Sequence, residues 1–188
     1  MPLFAPDVPA GFLYRPDFVE QDDARWLADV IASVSFDTFA MRGVVARRRV
    51  KFYGAAYDDR PSLPMPEFLL PLREQLAAWA GVAPEAFVMA LINEYPRGAT
   101  IGWHRDAPQY GITAGVSLLS SCRMKLRRYV SPKDLADPSP RPPRKTTHEI
   151  ELEPRSGYLI TGLARDGYEH SIPPTAALRY SITFRTLR

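Results

Sequence analysis

Apolar residues recur at a helical period over residues 20–34, EQDDARWLADVIASV. Trp26, Leu27, Val30, Ile31 and Val34 share one stripe, which predicts an amphipathic helix lying on a core. Glu20, Asp22 and Asp23 suit its first turn, where the helix dipole favours negative charge. A second helix is predicted over 66–80, with Leu69, Leu72, Leu76 and Trp79 as its stripe and Gly81 as its stop. Pro71 is placed in its first turn, where a missing N–H costs nothing. From about residue 86 the period drops to two. Strands are predicted at 87–95, 100–106, 114–120, 122–129, 148–152, 158–161, 168–172 and 178–186. Turn signals divide them, among them Pro96-Arg97-Gly98, Pro154, Gly162 and Pro173-Pro174. Helices before strands, rather than alternating with them, argue against a βαβ fold. The pattern predicts an α+β, mainly β chain: an antiparallel sandwich or barrel of jelly-roll type with N-terminal helices packed outside.

Composition narrows this picture. Of 188 residues 46% are hydrophobic, enough for one domain to bury a core without cross-links. A single cysteine, Cys122, excludes an internal disulfide and Cys-based zinc motifs. No apolar run is long enough to span a bilayer, and MPLFAPDVPAGF lacks the layout of a signal peptide. The cytoplasm is the expected compartment, without membrane contact. The net charge of +3 is unevenly spread. Residues 42–51 carry +5 and residues 123–147 carry +6, so the remainder is acidic. Such clusters fit phosphate recognition or solvated loops equally well. The Pro-rich stretch 131–145 reads as a long hairpin loop.

The candidate chemistry lies in the strands. His104 and Asp106 stand two apart in GWHRDAP, and on a strand they share a face. His170 lies on a later strand. Two imidazoles and a carboxylate form the donor set of non-haem Fe(II) oxygenases, which leaves positions open for a co-substrate and O2. The competing reading is a chance His-x-Asp beside an unrelated hydrogen-bonded histidine. His148 is given no role. In LRYSITFR the alternation puts Arg179, Ser181, Thr183 and Arg185 on one face and Leu178, Tyr180, Ile182 and Phe184 on the other. The two arginine Cα atoms are then roughly 20 Å apart, within reach of a short dicarboxylate between them. A solvent-facing edge strand accounts for the same pattern. Asn93 and Tyr95 share a strand face and offer an amide and a phenol to an oxygen-rich ligand, or to core packing.

Taken in order, Asn93-x-Tyr95, Gly98, His104-x-Asp106, His170 and Arg179-x5-Arg185 resemble the AlkB-like family of Fe(II)- and 2-oxoglutarate-dependent dioxygenases. The resemblance covers residues 90–188 closely and the basic strand 47–54 more loosely. It implies a double-stranded β-helix core over 86–188, with helices and a nucleotide-recognition lid within 1–85, in one domain. It implies iron held by His104, Asp106 and His170. It implies 2-oxoglutarate held by Arg179 with Tyr95 and Ser181, while Asn93 and Arg185 sit near its metal-proximal end. O2 is the co-substrate.

The resemblance points to oxidative demethylation or dealkylation of nucleobases in DNA or RNA, by a monomer acting on single strands. Arg47, Arg48, Arg49, Phe52, Tyr53 and Tyr57 are then the candidate substrate-binding residues, in a lid region of about 36–64. Pro108 stands where repair members carry a second acid, and Leu63 lies near the place of a base-stacking tryptophan, so the base pocket is expected to differ. The alternatives are an oxygenase acting on protein side chains and a non-catalytic β-helix module that binds nucleic acid.

Overall fold

The computed structural model describes residues 8–41, 44–55, 63–130 and 147–188. In chain order the elements are β1 (Phe12–Arg15), α1 (Gln21–Ala32), β2 (Asp37–Met41), β3 (Val44–Gly54), α2 (Leu70–Ala80) and β4 (Phe87–Tyr95). There follow β5 (Ile101–His104), β6 (Tyr110–Leu118), β7 (Cys122–Arg128), β8 (His148–Leu152), β9 (Gly157–Ile160), α3 (Gly162–Asp166), β10 (Tyr168–Ile172) and β11 (Arg179–Leu187). The strands form a seven-stranded sheet in the order β1-β9-β6-β11-β4-β3-β2 and a four-stranded sheet in the order β5-β10-β7-β8. Every pairing is antiparallel. The two sheets face each other as a jelly roll that is not closed into a barrel.

The period-two pattern of β11 explains the layering. Tyr180, Ile182 and Phe184 point to one side and join the core under α1 and α2. Arg179, Ser181, Thr183 and Arg185 point to the other side, between the sheets. β11 is no edge strand: β4 and β6 flank it, and eight of its nine residues are buried. Polar side chains on a strand buried on both faces need partners or a ligand. The core between the sheets is built from Phe12, Met124, Leu126, Leu152 and Ile172, among others.

Both predicted helices form. α2 carries Pro71 in its first turn and ends at Gly81 in the left-handed region, φ 70°. The stripe of α1 differs from expectation. Ala24, Leu27, Ala28 and Ile31 are buried, whereas Trp26 is 49% exposed. The spacing i, i+3, i+4, i+7 puts small alanines in the packed stripe and turns Trp26 away. Two strand limits also shift. β5 stops at His104, so Asp106 lies in a loop and not on the strand face, and β6 begins four residues early at Tyr110. Tyr110 N–H bonds the Ala107 carbonyl, a turn that the strand alternation does not show. The N-terminal strands β1 and β2 had no period-two signal. They add to opposite edges of the large sheet. β7 and β8 pair as a hairpin from Cys122–Leu152 to Leu126–His148. The predicted loop at 131–145 lies outside the described residues. No helix among the described residues is long and apolar enough to cross a membrane.

Candidate metal and cosubstrate site

Pairing between β5 and β10 sets His104 directly opposite His170. Their ring centroids are 4.3 Å apart. The loop after β5 swings Asp106 to the same place. One ligand atom from each of His104, Asp106 and His170 lies within 4.8 Å of the others, the separation a single metal ion spans. Sheet register therefore unites residues 66 positions apart in the chain, something no local pattern encodes.

The protonation states suit a cation. His104 Nδ1 lies 2.8 Å from the Gly102 carbonyl. A carbonyl only accepts, so Nδ1 carries the hydrogen and Nε2 keeps a free lone pair. Burial lowers the pKa of His104, and burial together with the neighbouring His104 brings His170 down to about 3. Both imidazoles are neutral at pH 7. For Asp106 burial alone raises the pKa, but Arg185, His170 and Thr113 outweigh it and hold the carboxyl well below the usual range. Arg185 donates through Nε to Oδ2 at 3.1 Å and through Nη2 to Oδ1 at 3.0 Å. The Thr113 hydroxyl donates to Oδ2 at 2.7 Å. Oδ2 thus has both lone pairs engaged and Oδ1 retains one for a metal. Two neutral imidazoles and an ionised carboxylate form a donor set that fits Fe(II).

Arg179 supplies the second test of fit. It is fully buried, and its Nε donates to Ser117 Oγ at 2.8 Å. Its Nη1 and Nη2 have no hydrogen-bond partner among the described residues. Its guanidinium carbon sits 5.2 Å from the centre of the Tyr95 ring. Unmet donors on a buried cation are costly, and a bidentate carboxylate satisfies both at once. A 2-oxo diacid fits this end of the site. Asn93, Tyr95 and Ser181, the other residues expected to hold it, line the same cleft of about 740 Å³ as the three metal-ligand candidates. Arg185 lines it too, but its guanidinium is engaged with Asp106, Thr183 and Met89. Its grip on the Asp106 carboxylate puts it beside the three metal-ligand candidates.

Strand face alone does not separate the candidate substrate residues, because the neighbours Arg47 and Arg48 both line the cleft where the β2–β3 register shifts. Arg47, Arg48 and Phe52 line the cleft. Arg47 is exposed, its Nη1 3.2 Å from where a Cβ on Gly98 would stand, and Gly98 has φ 80°. Arg48 is buried, donates to Asn93 Oδ1 at 2.9 Å and covers the Phe39 ring at 4.0 Å. Arg49 and Tyr53 are corrections. Both point to the helix side of β3: Arg49 pairs with Glu94, and Tyr53 packs against the helix-side core. Alternation along β3 puts them a pleat away from Arg48 and Phe52. Tyr57 lies outside the described residues. In the second basic cluster, Arg123 and Lys125 pair with Glu149 on β8, and Arg127 pairs with Glu169 on β10. Two carboxylates thus offset part of the charge of the four cations on β7.

Sequence reasoning missed Thr113 and Ser117, which hold Asp106 and Arg179. Extending the β6 alternation back to Tyr110 aligns both with the inward face of β11. It also missed Phe39 and Trp103, aromatic residues of the cleft wall that carry no distinguishing local signal.

A family model described as the 2OG-Fe(II) oxygenase superfamily matches residues 33–185. Among solved structures, the fold is similar to that of OsALKBH1, with a TM-score of 0.68 and 13% identity, covering 95% of this chain and 99% of that one. It is also similar to a Pseudomonas putida prolyl-4-hydroxylase, with a TM-score of 0.62 and 14% identity, covering 95% of this chain and 93% of that one.

Proposed function

The chain belongs to the 2OG-Fe(II) oxygenase superfamily and is a dioxygenase that uses Fe(II) and 2-oxoglutarate; we propose that its substrate is an alkylated nucleobase in single-stranded DNA or RNA. The observation that carries this reading is the cleft wall. Phe52 and Trp103 bring rings and Arg47 an exposed guanidinium group to the wall around the three metal-ligand candidates, with Phe39 and Arg48 packed on each other in the same wall. Aromatic faces stack on bases and arginines meet phosphate, the combination that single-stranded nucleic acid requires.

In this reading His104, Asp106 and His170 hold Fe(II), and Arg179 anchors the far carboxylate of 2-oxoglutarate. Bound together there, iron and the 2-oxo acid supply O2-dependent hydroxylation of a substrate C–H bond, with succinate and CO2 as coproducts. A hydroxylated N-methyl carbon then leaves as formaldehyde and returns the free amine. The protein's part is orientation. Gly102 sets the tautomer of His104, and Arg185 and Thr113 fix which Asp106 oxygen faces the metal. The Tyr95 phenol, kept protonated by burial, remains a donor beside Arg179.

A second reading, oxidation of a protein side chain, draws support from the partly offset charge of β7 and from the fold shared with a prolyl-4-hydroxylase. Succinate release decides between them. Iron-loaded protein is assayed with 2-oxoglutarate and O2 against methylated single-stranded DNA, methylated tRNA, a proline-rich peptide and no substrate. Stimulation by either nucleic acid, with formaldehyde in equal amount, is expected. Stimulation by the peptide alone overturns the nucleobase assignment.

A further inference from the structure

The loop that carries Asp106 has no strand partners, since β5 ends at His104 and β6 begins at Tyr110. Its carbonyls are nevertheless held. Arg165, from α3, donates through Nη2 to the carbonyls of Ala107 at 2.7 Å, Tyr110 at 3.0 Å and Asp106 at 3.3 Å. Arg165 is buried and makes no ion pair among the described residues. Burying a cation costs free energy unless its hydrogen bonds are met; here three carbonyls of one loop meet Nη2, while Nε has no partner among the described residues. Its base is anchored: the Arg165 N–H bonds the Thr161 carbonyl, and the Ala164 N–H bonds the Ala10 carbonyl beside β1. Arg188 also reaches the Tyr110 carbonyl, at 3.1 Å, but from an exposed position where it pairs with Asp166.

We propose that Arg165 is a positioning residue of the metal centre, which fixes the backbone of the 105–109 loop so that Asp106 meets His104 and His170 around one ion. Arg185 and Thr113 orient the carboxylate, and Arg165 sets where its Cα stands. Strands β6 and β11 supply the first task, but strand pairing does not supply the second, because the ligand lies beyond the end of β5. The inference rests on the metal reading of the three ligands and is independent of the substrate.

The test is Mn(II) binding to the metal-free protein by calorimetry and electron paramagnetic resonance, alongside thermal unfolding. Arg165→Ala is expected to bind Mn(II) 10- to 100-fold more weakly, the usual cost of losing an outer-sphere partner. It should also show an altered resonance spectrum. Arg165→Lys should fall between it and the parent protein, and Arg188→Ala should stay within twofold. Millimolar guanidinium should restore part of the lost affinity in Arg165→Ala. A folded Arg165→Ala protein with affinity within twofold of the parent overturns the proposal. If that variant does not fold, Arg165→Lys decides, and unchanged affinity and spectrum overturn it. His104→Ala is the separate control: undiminished Mn(II) binding there removes the metal reading itself.

Discussion

Arg179 is a buried guanidinium with two donors unmet, and that single fact makes the sharpest prediction at residue scale. Arg179→Met should raise the 2-oxoglutarate concentration needed for half-maximal turnover at least 10-fold and leave Mn(II) affinity within about threefold. A bidentate charge-assisted pair contributes about 1.5–3 kcal/mol, which sets that range. An unchanged 2-oxoglutarate requirement removes Arg179 from the cosubstrate site. The ligand histidines make a pH prediction. His170 titrates near 3 when folded and near 6.5 when unfolded, so the unfolded chain takes up protons that the folded one refuses. Stability is therefore full above about pH 6.5 and falls as the pH drops towards 3. Asp106 acts lower, because its contribution is lost only below the ordinary carboxylate range. Between pH 6.5 and 4 the metal-free protein should lose about 1 kcal/mol per unit through His170, measured by urea unfolding. His170→Gln should flatten that slope, and a profile in the parent that is already flat contradicts neutral buried imidazoles.

Strands sort function from scaffold by a pleat of two residues. On β3 the cleft face carries Arg48 and Phe52, while the opposite face carries Arg49 and Tyr53. Arg47→Ala, which removes the exposed arginine of the cleft, should weaken single-stranded nucleic-acid binding severalfold and reduce its salt dependence by about one phosphate contact. Arg49→Ala should leave binding unchanged but cost stability about 1–3 kcal/mol, because it takes a bidentate partner from the buried Glu94 carboxylate. Filter binding across a salt series checks both. Equal effects of the two variants on binding would remove Arg47 from the substrate path. β11 shows the same division at the centre of the sheet. Tyr180, Ile182 and Phe184 hold the helices on, and Arg179 and Arg185 serve the site.

At the scale of the molecule, the site lies between two sheets that are joined chiefly through their side chains. Ligands held by β4, β10, β11 and the β5–β6 loop at once should therefore stabilise the whole domain. Metal with saturating 2-oxoglutarate, at about 100 times the dissociation constant, contributes about 2.7 kcal/mol. For a domain of this length that raises Tm by about 5–10 °C. Differential scanning fluorimetry should show the 2-oxoglutarate increment only when metal is present, and it should vanish in Asp106→Ala. An equal increment without metal would place the diacid elsewhere.

Local pattern was enough for the two helices, the eight C-terminal strands and the two faces of β11, because helix and strand periods are properties of neighbouring residues. His104 and His170 were legible as rare side chains in strand-like surroundings, and Asp106 by its place two residues after His104. Tertiary structure decided what spacing cannot carry. Register across β5 and β10 set the two histidines opposite each other, and β11 became a strand buried on both faces because β4 and β6 closed on it. It turned Trp26 outward, moved Asp106 off its strand, and put Arg165 against a loop 55 residues or more away. These are long-range pairings, and a chain encodes them only through the packing of the whole.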